Sequence, residues 1–322
     1  GNKGAAGVIA AAVQASPKNI GTPVLWGGFL TGVLLLLAFD LTVTARRGRS
    51  DRFREALGWS AFWIAICGMF GLWIWTAYGR EQGLQFLAGY LLEESLSVDN
   101  LFVFVLLFQA FAIPPRYQHR VLFWGVLGAI LLRGSLILAG VALVHRFHWI
   151  IAIFGAILVY TAVKVALHRD EEEERAPTDN ALVRLVRRNL PMTGTIEGPE
   201  FFVLREGKRF ATPLVLAVVA AETTDLIFAL DSIPAVFAVS DDSFIVFSSN
   251  ICALLGLRAL YFVVREVLLR LRYLKPGLAA ILLFVGLKML LYKWVFLPTG
   301  ISLAIIAGIL CVALLVSWFA PK

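Results

Sequence analysis

The sequence predicts an all-α polytopic membrane protein: about nine transmembrane helices built around a 3+3 inverted repeat with broken acidic helices. Three features predict it. The chain is 59% hydrophobic over 322 residues, its apolar strings approach the 17–25 residues that a bilayer-spanning helix needs, and an order of charged residues recurs inside those strings. The strings are too long and too uniformly apolar for barrel strands, and in lipid the backbone must satisfy its own hydrogen bonds, so helices follow.

Nine spans are expected near 23–43, 59–78, 84–112, 121–143, 149–168, 212–239, 244–268, 277–293 and 300–319. Together they make residues 1–322 a single integral membrane domain. Basic residues alternate between the connections. Arg46, Arg47, Arg49, Arg52 and Arg54 crowd the first loop, and Arg116 and Arg120 lie in the third. Eight more fall between Arg169 and Arg209, and Arg265, Arg270, Arg272 and Lys275 flank the seventh. By the positive-inside rule the N-terminus lies outside and the C-terminus in the cytoplasm. The formal charge of +7 is then a topology signal, and the dispersal of basic residues over four loops argues against nucleic-acid binding. Trp59, Trp73, Trp75, Trp149 and Trp294 sit toward span ends, as interface anchors do.

The third and sixth spans are acidic. Glu93 and Asp99 stand six residues apart in LLEESLSVDNLF, and Asp225 and Asp231 repeat that spacing in AETTDLIFALDSIP, with Glu222 one turn earlier. An ionised side chain at the centre of a membrane helix costs about 2.5–3.5 kcal/mol on insertion scales, so such clusters point to an ion pathway. Arg133 and Lys164 follow the first cluster on the next two spans, and Arg258 and Lys288 follow the second. A unit of three spans repeated in a membrane enters from the opposite side the second time, which is the inverted repeat of many secondary transporters. The first repeat covers 84–168 and the second 212–293, with spans one, two and nine as additions. The segment 169–211 reads as a cytoplasmic loop with a short strand at FFVL; its DEEEER run is a solvated block of charge.

Residues six apart differ by about 240° around an ideal helix, so the paired acids converge on one ligand only if the helix bends. Pro234 supplies a break in the second motif by removing a donor from the Leu230 carbonyl. SVDN, with Ser97 and Asn100, offers a weaker one in the first. Carboxylates beside released carbonyls are hard oxygen ligands, suited to Mg²⁺, Ca²⁺ or Mn²⁺, whereas Zn²⁺ and copper favour His and thiolate. Glu93, Asp99, Glu222, Asp225 and Asp231 are the candidate metal ligands. Asn100, Ser232, Arg133, Arg258, Lys164 and Lys288 are the candidate supporting residues. Asp40 and Glu266, at span ends, are assigned capping or snorkelling roles.

Exporting a divalent ion against about 100 mV costs roughly 4.6 kcal/mol electrically, which makes coupling to protons the natural mechanism. His119, His145, His148 and His168 lie at span ends, where an interfacial role is expected. Cys67, Cys252 and Cys311 fall in separate apolar spans without a CxxC pair, so no disulfide framework or thiolate metal site is expected. The start GNKGAAGVIAAAVQ reads as a trimmed or tag-derived segment.

EESLSVDNLFVF at 93–104, ETTDLIFALDSIPAVFA at 222–238 and GLRALYF at 256–262 resemble the TerC/Alx family of integral membrane proteins, placed in the LysE transporter superfamily. The resemblance implies manganese export across the bacterial inner membrane, with Glu93, Asp99, Glu222, Asp225 and Asp231 as the expected metal site; Glu94 is a variable neighbour in the family pattern. Two rivals are a tellurite or other oxyanion transporter, in which the four bases would be the ligands, and a non-transporting membrane assembly factor, as suggested for plastid relatives. An enzyme is not expected, because P-loop, nucleophile elbow and HExxH are all absent from the sequence.

Overall fold

A computed structural model describes residues 20–46, 53–147, 149–167, 181–196, 198–205, 207–267, 273–291, 294 and 297–319, without the side chains of Asp99 and Asp231 among others. The sequence readings at 1–19, at the DEEEER run and at His148 and His168 lie outside those residues, as does the side chain of His145.

Nine long helices are present among the described residues. They are α1 (Pro23–Arg46), α2 (Phe53–Tyr78), α3 (Arg80–Ala110), α4 (Pro115–Arg146) and α5 (Ile150–Leu167), then, after a short α6 (Ala181–Asn189) and a hairpin, α7 (Pro213–Phe237), α8 (Ser243–Val267), α9 (Leu274–Leu290) and α10 (Thr299–Phe319). Seven of these are long and apolar enough to cross a membrane; the apolar part of α9 is shorter, and α3 carries too many acids to qualify by composition alone. Their boundaries follow local chemistry. Prolines open α4 and α7 at the first turn, where the missing N–H costs nothing. Gly79, at φ +110°, makes the tight reversal between α2 and α3 that a side chain would resist.

The carboxylate of Asp242 caps α8, accepting from the amides of Phe244 (2.8 Å) and Ile245 (3.1 Å), and it also accepts from Ile20 at 2.7 Å. Asp242→Ala should therefore lower stability by about 1–2 kcal/mol. Thermal unfolding in detergent measures it; an unchanged midpoint would show that the cap contributes nothing.

The two halves interlock. Gln85 meets Ser240 (2.7 Å) and Gly89 lies against Val236, while Asn100 and Asp225 line one small cavity, so α3 and α7 run in opposite directions. Gly134 meets Phe247 and Gln118 meets Tyr261, making α4 and α8 antiparallel. Gly155 meets Met289 and Gly286 meets Val159, which does the same for α5 and α9. Every helix of the first trio is thus inverted relative to its counterpart. The central element is α8, with 83% of its spanning window buried against 22–39% in the other candidate spans. Outward faces carry exposed Leu34, Leu131, Tyr160 and Val312, as a lipid-facing surface requires.

Contacts between connections sort them onto two ends, in the alternation expected from the basic residues. Ile20 bonds to Asp242, and Thr299 donates to Glu81, at one end. Arg120 donates to the Pro199 carbonyl at 2.7 Å, and the Tyr273 amide to Ser317 at 3.0 Å, at the other.

The 169–211 connection holds more structure than one strand. β1 (Phe202–Arg205) pairs antiparallel with β2 (Lys208–Ala211), turning at Gly207 with φ +76°, and the amphipathic α6 lays Val183 into the main core. The expected breaks in the acidic helices do not take the form of interruptions. Backbone helix is continuous through both motifs, and Pro234 sits in the last turn of α7, where only the Leu230 carbonyl loses its donor.

Candidate functional site

Arg133 organises the interior. It projects from α4 with no exposure to solvent, and an isolated cation so placed would be prohibitively costly, so its partners are the informative residues. Its Nε donates to both Asp225 oxygens at 3.0 and 3.2 Å, and Nη2 donates to Oδ1 at 2.7 Å. On the opposite side Nη1 donates to Glu93 Oε1 and, at 3.2 Å, to Ser232 Oγ. Asn100, with its amide oriented to satisfy both ends, accepts from Nη2 at 3.2 Å and donates to the Leu96 carbonyl. One guanidinium therefore joins Glu93 and Asn100 of the first acidic helix to Asp225 and Ser232 of the second.

Asp225 and Ser232 are seven residues apart, two helical turns, which places both on the face of α7 turned toward α4. Glu222 extends that face. Its carboxylate nests over Gly128 of α4, where any Cβ would overlap it, so glycine makes the room. Glu222 Oε1 and Glu93 Oε2 are buried oxygens without hydrogen-bond partners among the described residues. A carboxylate oxygen left so in a low-dielectric interior demands a proton, a cation or water. Between α3 and α7, a cavity of about 10 Å³ lined by Asn100, Phe104, Thr224 and Asp225 is near the size of one water.

Of the candidate ligands, then, Glu93 and Asp225 meet on Arg133, and Glu222 lies one turn from Asp225. Asp99 and Asp231 belong to α3 and α7, but their side chains lie outside the described residues. Among the described residues no three acidic, His or Cys groups converge as a ready metal cage.

The other bases are elsewhere. Arg258, on α8, pairs with Asp40 of α1 and also donates to the Asp40 backbone carbonyl at 3.4 Å. Lys288 donates to the Ala238 carbonyl at 3.2 Å, at the end of α7, and Lys164 is exposed on α5. Asp40 is thus no snorkelling end residue: it is 8% exposed and compensates a buried arginine. The signal was present, since an acid inside an apolar string needs a partner, but nothing in one dimension says which. Gly128 could not have been singled out from sequence, because its role exists only where α4 meets Glu222. Glu94, set aside as variable, also keeps a buried oxygen without a partner among the described residues.

Residues 78–322 match the model of the "Integral membrane protein TerC family". The chain is 49% identical over 299 residues to the uncharacterized membrane protein STKORF319 of Myxococcus xanthus, covering 93% of both. It is 46% identical over 309 residues to Alx of Salmonella typhi and 45% over 309 to Alx of Escherichia coli K12, covering 93% of this chain and 95% and 96% of theirs. Those two relatives are provisionally named membrane-bound redox modulators. No solved structure matches the chain.

Proposed function

Because this chain belongs to the TerC family of integral membrane proteins, we propose that it is a transporter that exports a hard divalent cation, Mn²⁺, from the cytoplasm of a bacterium in exchange for protons. The observation that carries the reading is the buried cluster in which acids from two oppositely directed helices meet on Arg133. Glu93 and Asp225 share a single guanidinium and Glu222 lies one turn from Asp225, so the cluster holds more acid than base. Arg133 would serve as the internal counter-cation while the cargo is absent. A divalent ion that displaced it would find oxygen ligands only, which suits Mn²⁺, Mg²⁺ or Ca²⁺. Manganese is chosen among them on family resemblance. Asp99 and Asp231, on the same two helices, complete the proposed ligand set. Protons taken up by these carboxylates as the metal leaves would supply the exchange, offsetting the roughly 4.6 kcal/mol of moving two charges through about 100 mV.

The oxyanion alternative is disfavoured by the same geometry. Every nitrogen of Arg133 donates to a side chain already, and Arg258, Lys164 and Lys288 stand at separate places. The inner membrane is the proposed location, with the basic connections and the C-terminus in the cytoplasm.

Radiolabelled Mn²⁺ efflux from cells is the test, with variants compared at equal membrane abundance. Glu93→Gln, Asp225→Asn, Asp99→Asn and Asp231→Asn should each slow efflux by about tenfold or more, the equivalent of about 1.4 kcal/mol of lost interaction with the ion. Purified wild-type protein should gain thermal stability on adding Mn²⁺, and these variants should not. Efflux that survives Glu93→Gln and Asp225→Asn together would refute the site. An absence of Mn²⁺ stabilisation and efflux in the wild type would favour the assembly-factor reading instead.

A further inference from the structure

Asn250, on the central helix α8, has no exposure to solvent, and neither its amide oxygen nor its amide nitrogen has a hydrogen-bond partner among the described residues. Turning the amide over changes nothing, because both atoms are unmet. An amide inside a spanning helix ordinarily holds a neighbouring helix by hydrogen bonding, and that role requires the bond that Asn250 lacks. A buried amide without bonds is destabilising, so its presence in this interior calls for a polar occupant at some stage of the protein's work.

Helix geometry gives the direction of the amide. On α8, Phe247 meets Gly134 and Tyr261 meets Gln118, both of α4, while Ser249 lies against Gly89 of α3. At about 100° per residue, Asn250 stands about 60° from Phe247 and about 100° from Ser249, in the sector between them. It therefore points between α3 and α4, the two helices joined by the Glu93–Arg133 pair. Its height agrees, with α3 running along α8 and α4 running against it. At about 1.5 Å per residue, the Gly89–Ser249 contact puts Glu93 about 4.5 Å along the axis from Asn250 on one side, and the Gly134–Phe247 contact puts Arg133 about 3 Å away on the other. Glu93 Oε2 and Ser97 Oγ, one turn apart on α3 and wholly buried, are likewise unpartnered among the described residues. Unmet polar atoms thus lie on both helices that flank this space.

We propose that Asn250 is a further ligand of the transported cation, with its Oδ1 coordinating the ion and its Nδ2 donating to Glu93 Oε2. This rests on the cation-export reading and adds a third helix to the site. Asn carbonyl oxygens join carboxylates around hard divalent cations. A neutral oxygen adds a ligand without adding to the repulsion among the acids, and a bond to Glu93 holds that carboxylate on the ion once Arg133 has been displaced.

The test uses full-length protein purified in detergent, with melting followed across a range of Mn²⁺ concentrations, and Mn²⁺ efflux from cells alongside. The variants are Asn250→Leu, of matching shape, and Asn250→Ala, which cannot clash. In both, the Mn²⁺ concentration for half-maximal stabilisation and for half-maximal efflux should rise about tenfold, as for a lost ligand. Without metal, Asn250→Leu should melt no lower than wild type, because an apolar side chain replaces an amide that bonded to nothing. Wild-type Mn²⁺ affinity in both variants would overturn the proposal while leaving the acidic site standing. A metal-free Asn250→Leu that melts well below wild type would also overturn it, by assigning the amide to helix packing. If wild type itself gains no stability from Mn²⁺, the cation-export reading and this inference fall together.

Discussion

Replacing Arg133 with alanine should destabilise the protein by about 3–5 kcal/mol, the largest loss expected of any single substitution here. The guanidinium is wholly buried and holds Glu93 from α3 and Asp225 from α7. Its removal leaves two carboxylates facing each other in a medium that solvates neither, and an uncompensated buried charge is far costlier than the pair was stabilising. The direction of rescue makes the argument specific. Adding Glu93→Gln and Asp225→Asn to Arg133→Ala should recover more than half of the loss, because the charges then disappear together. Thermal unfolding and the monodisperse fraction in detergent measure both steps. If the single variant melts with the wild type, or the triple variant is worse than the single, Arg133 is not the clamp between the two halves.

The second large effect lies where the last helices of the two trios cross. A Cβ on Gly286 would stand 2.9 Å from Val159 Cγ2 and 3.0 Å from both Leu158 Cβ and the Gly155 carbonyl oxygen. Small residues let backbones approach this closely in membranes, where van der Waals contact drives helix association. Gly286→Val should force α5 and α9 apart at about 1–3 kcal/mol, the usual cost of overpacking. Gly308 of α10 is the control, since no described residue lies within 4 Å of the position its Cβ would take; Gly308→Ala should be silent. Equal melting of the two variants would show that the crossing tolerates separation.

Much of the architecture was legible in the residues, for reasons that the membrane supplies. A backbone in lipid must close its own hydrogen bonds, so length and apolarity alone place helices. The order of acid, arginine and lysine on successive spans led to the expectation of an inverted repeat, and the helices so paired, α3 with α7, α4 with α8 and α5 with α9, run antiparallel. Pro234 misled, because it removes one hydrogen bond, that to the Leu230 carbonyl, and the helix continues through it to Phe237. The hairpin at 202–211 was half visible as FFVL, and its partner strand was not, since pairing needs a second segment whose register the first does not name.

The candidate site divides along the same line. That Glu93, Asp225 and Arg133 needed partners followed from their placement in apolar strings, whatever the fold. That they are one another's partners, that Arg258 takes Asp40 from an added helix and that Gly128 cradles Glu222 were decided only by tertiary structure. The physical reason is rotation: a sequence sets which residues share a helix face, at about 100° per position, while the packing of neighbouring helices sets which faces meet.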